Sequence, residues 1–415
     1  MANKGLGHSI GHASGVFVMI AILTIAASAG ETILYSFAGD EDGEYADTGL
    51  VIDRAGNIYG TTIQGGTHAS GTVFRLTPSG GHIVLYSFNG GADGSEPYKG
   101  VTLDAAGNLY GTTVAGGDTS CDGGCGVVYE LTKSDGTWTQ SVIHAFTGGA
   151  DGSGAGSPLI FDKQGNIYGM TPAGGVMGGC FGMGCGVIFC LTPDATGHWN
   201  FRVLHTFTGG ADGFGGSAGR LLIAHGHLYG VATSGGANGQ GVAFELTPTR
   251  TGEWKFKTIY AFRVQPDAGS PFGGLISDKF GDLYGTTYFG GANGLGSVYK
   301  LERHGTSWNE TVLYSFQGGS DGDSPLSTLV FDSAGNLYGT TSVDGDPGCA
   351  CGTIFRLSPG TNGRWTETVV HTFTGAAGDG SFPYPGMVAD SSGHFYGAAR
   401  NGGMNDDGVI YKFVP

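Results

Sequence analysis

Carboxylates recur at one place along this chain: Asp42, Asp93, Asp151, Asp212, Asp267, Asp321 and Asp379 each stand within two residues of a glycine. Carried on equivalent loops of a ring, they would form an acidic crown able to attract calcium or to accept hydrogen bonds from sugar hydroxyls. Asp-Gly is also a common turn pair, because Asp bonds nearby backbone and Gly supplies a positive φ, and this structural reading carries more weight. The densest acidic run, Asp40-Glu41-Asp42-Gly43, does not fit an EF-hand loop, since Ala38 and Gly49 fall where that register needs carboxylates.

More distinctive are the larger side chains that interrupt the Gly-rich segments just before an apolar run: Tyr45 and Asp47, Tyr98 and Lys99, Arg220, Phe272, and Tyr384. They differ from one segment to the next, as a ligand site requires and as drift in exposed loops also produces, and aromatic and hydrogen-bonding groups around a recess would suit a small polar ligand. Catalytic signatures are weaker. Gly7-His8-Ser9-Ile10-Gly11 and Gly215-Gly216-Ser217-Ala218-Gly219 match Gly-x-Ser-x-Gly, but neither has the strand-turn-helix context that exposes a nucleophile. His144, His205 and His371 occupy the place of Tyr35, Tyr86, Tyr260 and Tyr314 in other segments, so they mark one face of a repeated strand and not a metal triad. No positioned nucleophile, base and oxyanion donor emerges.

The elements that must hold these residues are repeats. Leu-Tyr-Ser-Phe, a Gly/Asp-rich stretch, an Asp-x-x-Gly-Asn turn, Leu-Tyr-Gly-Thr-Thr, a second Gly-rich stretch and Gly-Thr-Val-Phe-x-Leu return with Tyr-Gly at Tyr59, Tyr110, Tyr168, Tyr229, Tyr284, Tyr338 and Tyr396. A period of roughly 50 to 60 residues points to propeller blades. Four apolar runs per unit, such as Thr328 to Asp332, Asn336 to Thr341, Gly352 to Leu357 and Thr366 to Phe373, give four strands. Glu31 to Phe37 is a lone outer strand, and the last unit, 386–414, lacks one. Pairing the two closes an all-β, seven-bladed propeller of four-stranded blades. First strands would then line a central channel, and both Gly-rich stretches would share one face. Trp138, Trp199, Trp254, Trp308 and Trp365 open outer strands and are expected to cover blade edges, not to form a sugar-stacking row.

These motifs, as in Gly107 to Thr113 and Leu313 to Phe316, resemble the bacterial tandem-repeat GloVer proteins, described as choice-of-anchor because members end in different surface-anchoring signals. The resemblance covers about residues 31–415. It implies an exported propeller-like layout and no assigned reaction. The end at Phe413-Val414-Pro415, without a hydrophobic tail or sorting motif, departs from the anchored pattern.

Lys4, the apolar run from Val16 to Ile25 and Ala27-Ser28-Ala29 read as a signal peptide over 1–29, with the propeller over 30–415 and no membrane span after cleavage. Seven cysteines suit export, with disulfides expected between Cys121 and Cys125, Cys180 and Cys185, and Cys349 and Cys351, and Cys190 left as a buried thiol. A zinc site from the first two pairs is the weaker alternative, lacking C-x-x-C spacing. With 84 glycines and 40% apolar residues the chain is strand-and-turn rich, and a net charge of −16 counts against nucleic-acid partners. The expectation is an exported, monomeric binding or scaffold module at the cell surface, in the periplasm or outside the cell. A glycan or protein would bind on the Gly/Asp loop face, with no cofactor other than calcium in view. A lyase or lactone hydrolase at the channel mouth, and a structural envelope protein, are the alternatives.

Overall fold

The protein, described from a computed structural model, is resolved here at Met1 and residues 30–415 apart from 177, 216–218 and 264. The leader read over 1–29, both Gly-x-Ser-x-Gly serines and the segment just before Arg220 therefore lie outside the described residues. Seven four-stranded antiparallel sheets form the body, the four strands of blades 1 to 6 pairing in chain order, and no α-helix occurs among the described residues. Blades are numbered here by their Tyr-Gly tyrosines, from Tyr59 in blade 1 to Tyr396 in blade 7. In blade 3 the strands run Ile160–Phe161, Ile167–Thr171, Val187–Pro193 and Trp199–Thr206 from channel to rim. Blade 5 adds Ala268–Pro271, which extends its second strand's pairing.

The repeat's fixed letters have identifiable structural causes. In blade 3, Asp162 closes the first hairpin: its Oδ1 accepts the backbone N–H groups of Gln164 and Asn166, both at 2.9 Å, and its Oδ2 accepts the Tyr168 hydroxyl at 2.9 Å. The glycine after that tyrosine makes room for the third strand's aromatic ring. A Cβ on Gly169 would lie 2.5 Å from Phe189 Cζ, so any larger residue would displace a fully buried side chain. Phe or Tyr fills this place in every blade. At Tyr129, Tyr299 and Tyr411 the extra hydroxyl is buried without a partner.

Blade 7 takes its outer strand from the other end of the chain. Gly30–Ser36 pairs antiparallel with Val409–Val414, Gly30 opposite Val414 and Ser36 opposite Val409, so the ring closes by backbone hydrogen bonds as the strand count predicts. The tryptophans differ from expectation. Trp199, Trp254, Trp308 and Trp365 pack edge-on against Tyr110, Tyr168, Tyr229 and Tyr284 of the preceding blade, with ring centroids 5.8 to 6.4 Å apart. They therefore seal the seams between blades and do not lie across the outer edges. The twist between sheets brings the foot of an outer strand over its neighbour's first hairpin, where apolar area is available to bury.

Three disulfides are formed, Cys121–Cys125, Cys180–Cys185 and Cys349–Cys351, and Cys190 is a buried free thiol. Each lies in a second-to-third-strand loop, against a glycine that begins the next blade's Asp-bearing loop: Gly148, Gly209 and Gly375. The sulfurs are thus committed to pairing within their own loops, and the zinc alternative does not hold.

Candidate binding site at the channel mouth

The loop entering each first strand kinks at one position. Tyr45, Glu96, Gly154, Gly215, Ser270, Ser324 and Phe382 all have φ between +54° and +74°, a region that five non-glycine residues occupy here. Backbone hydrogen bonds from the residue after the second strand hold the kink, as in Ile63 N–H to Tyr45 O at 3.2 Å, Val114 to Glu96 at 3.1 Å and Arg400 to Phe382 at 3.2 Å. Bridges such as Glu44 with Gln64 and Ser95 with Ala115 confirm that the two Gly-rich segments of a blade share one face. Two residues beyond the kink the chain turns into the channel. That place holds Asp47, Tyr98, Phe272, Leu326 and Tyr384 in blades 1, 2, 5, 6 and 7, and all five line one central cavity of about 670 Å³.

Six of the seven residues expected at the channel rim therefore meet: Asp47, Tyr98, Lys99, Arg220, Phe272 and Tyr384 all line this cavity. Arg220 stands where blades 1, 2, 5 and 7 have Gly49, Gly100, Gly274 and Gly386, so its side chain fills space that these leave open. Tyr45 does not line the cavity. Its ring lies under the Arg400 guanidinium, 5.5 Å from the centroid, and steadies a cation that does. Arg400 escaped the sequence reading because it lies after a second strand. Comparing that place across blades, where Ile63, Val114 and Pro172 stand, would have exposed it as the odd cation. The cavity opens toward the Gly/Asp face: Tyr98, Lys99, Phe272 and Arg400 also line a shallower recess there, beside Gln64, Glu96 and Val114.

Burial tunes the charged groups. Asp47 is only 2% exposed, and desolvation pushes its carboxyl up against the opposing pull of Lys99, the Tyr98 hydroxyl and Arg400. Burial also draws the Lys99 ammonium down, opposed by Asp47, while its Nζ lies 3.8 Å from the Tyr98 ring centroid. Arg220 is drawn down by burial as well, and the Tyr98 phenol is pushed up by burial and by Asp47. Below these groups the channel wall is apolar, with Leu50, Val101, Leu159 and Leu329.

The seven loop aspartates do something different, for each is bonded within its own loop. Asp151 accepts the Thr147 N–H at 3.0 Å and sits 3.2 Å from His144 Nε2, and Asp93 accepts the Tyr86 hydroxyl at 2.8 Å and the Asn89 N–H at 2.9 Å. Asp42, Asp212, Asp267, Asp321 and Asp379 clasp Tyr35, His205, Tyr260, Tyr314 and His371 in the same way. One group of metal-ligating type occurs among the described residues: Glu31, His371 and Asp379 offer ligand atoms within 4.8 Å of one another. Its His–Asp half repeats the clasps at His144 and His205, which gives it a structural account.

A ring of seven four-stranded blades with a polar, asymmetric pocket at one mouth defines a β-propeller whose loops carry the variable chemistry. The chain belongs to the Gloeobacter/Verrucomicrobia repeat family, whose sequence profile matches residues 12–223 and 216–415. No curated relative matches. Among solved structures it is similar to a protein of unknown function from Dyadobacter fermentans, at 12% identity over 92% of this chain and 98% of that one, with a TM-score of 0.46. A second, provisionally named a gluconolactonase, shares 15% identity over 75% of this chain and 89% of its own, with a TM-score of 0.41.

Proposed function

We propose that the protein is an exported binding module that takes a small polar ligand, free or as the end of a glycan, into the channel mouth from the Gly/Asp loop face. One observation carries this reading: a kink common to all blades delivers non-equivalent side chains, Asp47, Tyr98, Phe272 and Tyr384, to one cavity joined by Lys99, Arg220 and Arg400. A volume of about 670 Å³ falls within the ~300–1,000 Å³ usual for ligand sites. The three disulfides support export, and no described helix is long and apolar enough to cross a membrane. Thermal unfolding of the mature chain against a glycan panel tests the reading, because a native-state ligand raises the midpoint. A rise that disappears in Tyr98→Ala/Tyr384→Ala supports it; a rise that survives in this variant puts the ligand elsewhere.

A second reading, hydrolysis of a lactone or elimination at an acidic sugar, draws on a specific feature: the Asp47 carboxyl and the Lys99 amine are both pushed toward their neutral forms beside the Tyr98 phenol. It ranks second because Asp47 is almost closed off behind its neighbours, which suits positioning better than attack. Product formation from lactones or uronate polymers, abolished in Lys99→Met, would promote it.

A further inference from the structure

We infer that the channel mouth selects an acidic saccharide, its anionic group held by Lys99, Arg220 and Arg400 and its ring faces against Tyr98, Phe272 and Tyr384. This rests on the binding reading above and narrows it to a ligand class.

The first support is charge left unmatched. Every ion pair among the described residues lies away from the channel, and none involves Lys99, Arg220 or Arg400. Three cations lining one cavity share it with a single carboxylate, Asp47, which forms an ion pair with none of them. A cation held in a cavity without an ion-paired carboxylate is costly even where a tyrosine ring faces it, as Tyr98 faces Lys99 and Tyr45 faces Arg400, and a bound anion offsets that cost. Guanidinium groups also match the planar fork of a carboxylate or sulfate.

The second support is where the positive charge sits. The whole chain carries −16, and Glu96 lines the recess outside the mouth. A cationic mouth on a chain of net negative charge admits a small anion or one chain end and disfavours an extended polyanion such as nucleic acid or an anionic bilayer. The third is shape. Tyr98, Phe272 and Tyr384 come from blades 2, 5 and 7 and bring aromatic side chains to the cavity from different parts of the ring, while Gln64 and Glu96 at the rim supply hydrogen-bonding groups for hydroxyls. An inorganic anion would use the cations and leave the aromatic faces idle.

The experiment is calorimetric titration of the mature chain with short oligomers of glucuronic or galacturonic acid, their methyl esters, a sulfated disaccharide and inorganic sulfate. The acid oligomers should bind at least ~10-fold more tightly than the esters, since one charge-assisted contact is worth about that much. Arg220→Gln and Arg400→Gln should each lose ~10-fold, with Arg220→Lys and Arg400→Lys recovering part, and an unchanged melting midpoint would show that the variants fold. Preference for the sulfated disaccharide over uronates still supports the class and reassigns the anion. Equal binding of acids and esters overturns the charge selection while the binding module stands. Sulfate binding without any saccharide overturns saccharide recognition, and no binding by any probe overturns this inference and counts against the channel as the site.

Discussion

The seams between blades divide the ring into two arcs built from different chemistry. At each seam the clasping Tyr or His of one blade's outer strand faces one register position on the next blade's outer strand, opposite Leu or Phe of the third strand. From blade 7 round to blade 4 that position holds His82, Gln140, Phe201 and Phe256. His82 stacks on Tyr35 at 4.2 Å, Phe201 on His144 at 3.9 Å, Phe256 on His205 at 3.9 Å, and the Gln140 amide donates to Asp93 O at 3.1 Å. From blade 4 on to blade 7 the same position holds Glu310, Glu367 and Glu31, each with a buried Oε1 that lacks a partner. They face Asp267, Asp321 and Asp379, and burial together with those carboxylates pushes Glu31 and Glu367 up to about 7 and raises Glu310 as well. Equivalent backbone therefore tolerates a ring stack or a carboxyl pair, and the two should respond to pH in opposite directions.

In the carboxyl arc, folded-state pKa values lie above the unfolded ones, so the stabilisation from Glu31 and Glu367 is complete below about 4.5 and is lost as pH rises through about 7, and that from Glu310 is lost on the same side. In the aromatic arc, burial draws His82, His144 and His205 down, so their contribution is present above the ordinary histidine range and is lost as pH falls.

The largest effect is expected from moving one arc's chemistry into the other. Phe256→Glu would place a carboxyl beside Asp212 and remove a stack, costing about 3 kcal/mol at pH 8 and less at pH 5 by chemical denaturation; equal loss at both pH values would mean that packing alone matters. Next, the triple variant Glu31→Gln/Glu310→Gln/Glu367→Gln should raise the melting midpoint by about 3 °C at pH 8 and leave it unchanged at pH 5, because each partly exposed pair is worth on the order of 1 kcal/mol. A rise at pH 5 as large as at pH 8 would break the assignment. His144→Tyr, which copies the Tyr86 and Tyr314 clasps, should add about 1 kcal/mol at pH 5 and nothing at pH 8. Smallest, Tyr129→Phe and Tyr411→Phe, one in each arc, should each gain about 0.5 kcal/mol at either pH by removing a buried unpaired hydroxyl; a pH-dependent gain would tie these hydroxyls to the seams.

The ring itself was legible because its causes are local and repeated: an Asp that closes a hairpin, a Gly that admits a ring, and a strand count that comes out one short at one end and one over at the other. The mouth was legible in part for the same reason. Residues that broke the repeat, Tyr98, Lys99, Arg220 and Tyr384, proved to share a cavity. Arg400 and the supporting role of Tyr45 were not, since both depend on a second-strand end meeting a kinked loop whose φ of +59° no residue type announces. The seams were hidden further still. Glu31 and Asp379 are far apart in sequence, and only blade-to-blade packing shows that they face one another.

Because Gly30 and Val414 lie opposite each other at the same end of an antiparallel pair, a pull on the two ends loads those interstrand bonds one at a time and not all together. Mechanically the ring is a zipper with its slider at the rim: modest tension would peel away residues 30–36 while the other six blades keep all four of their strands.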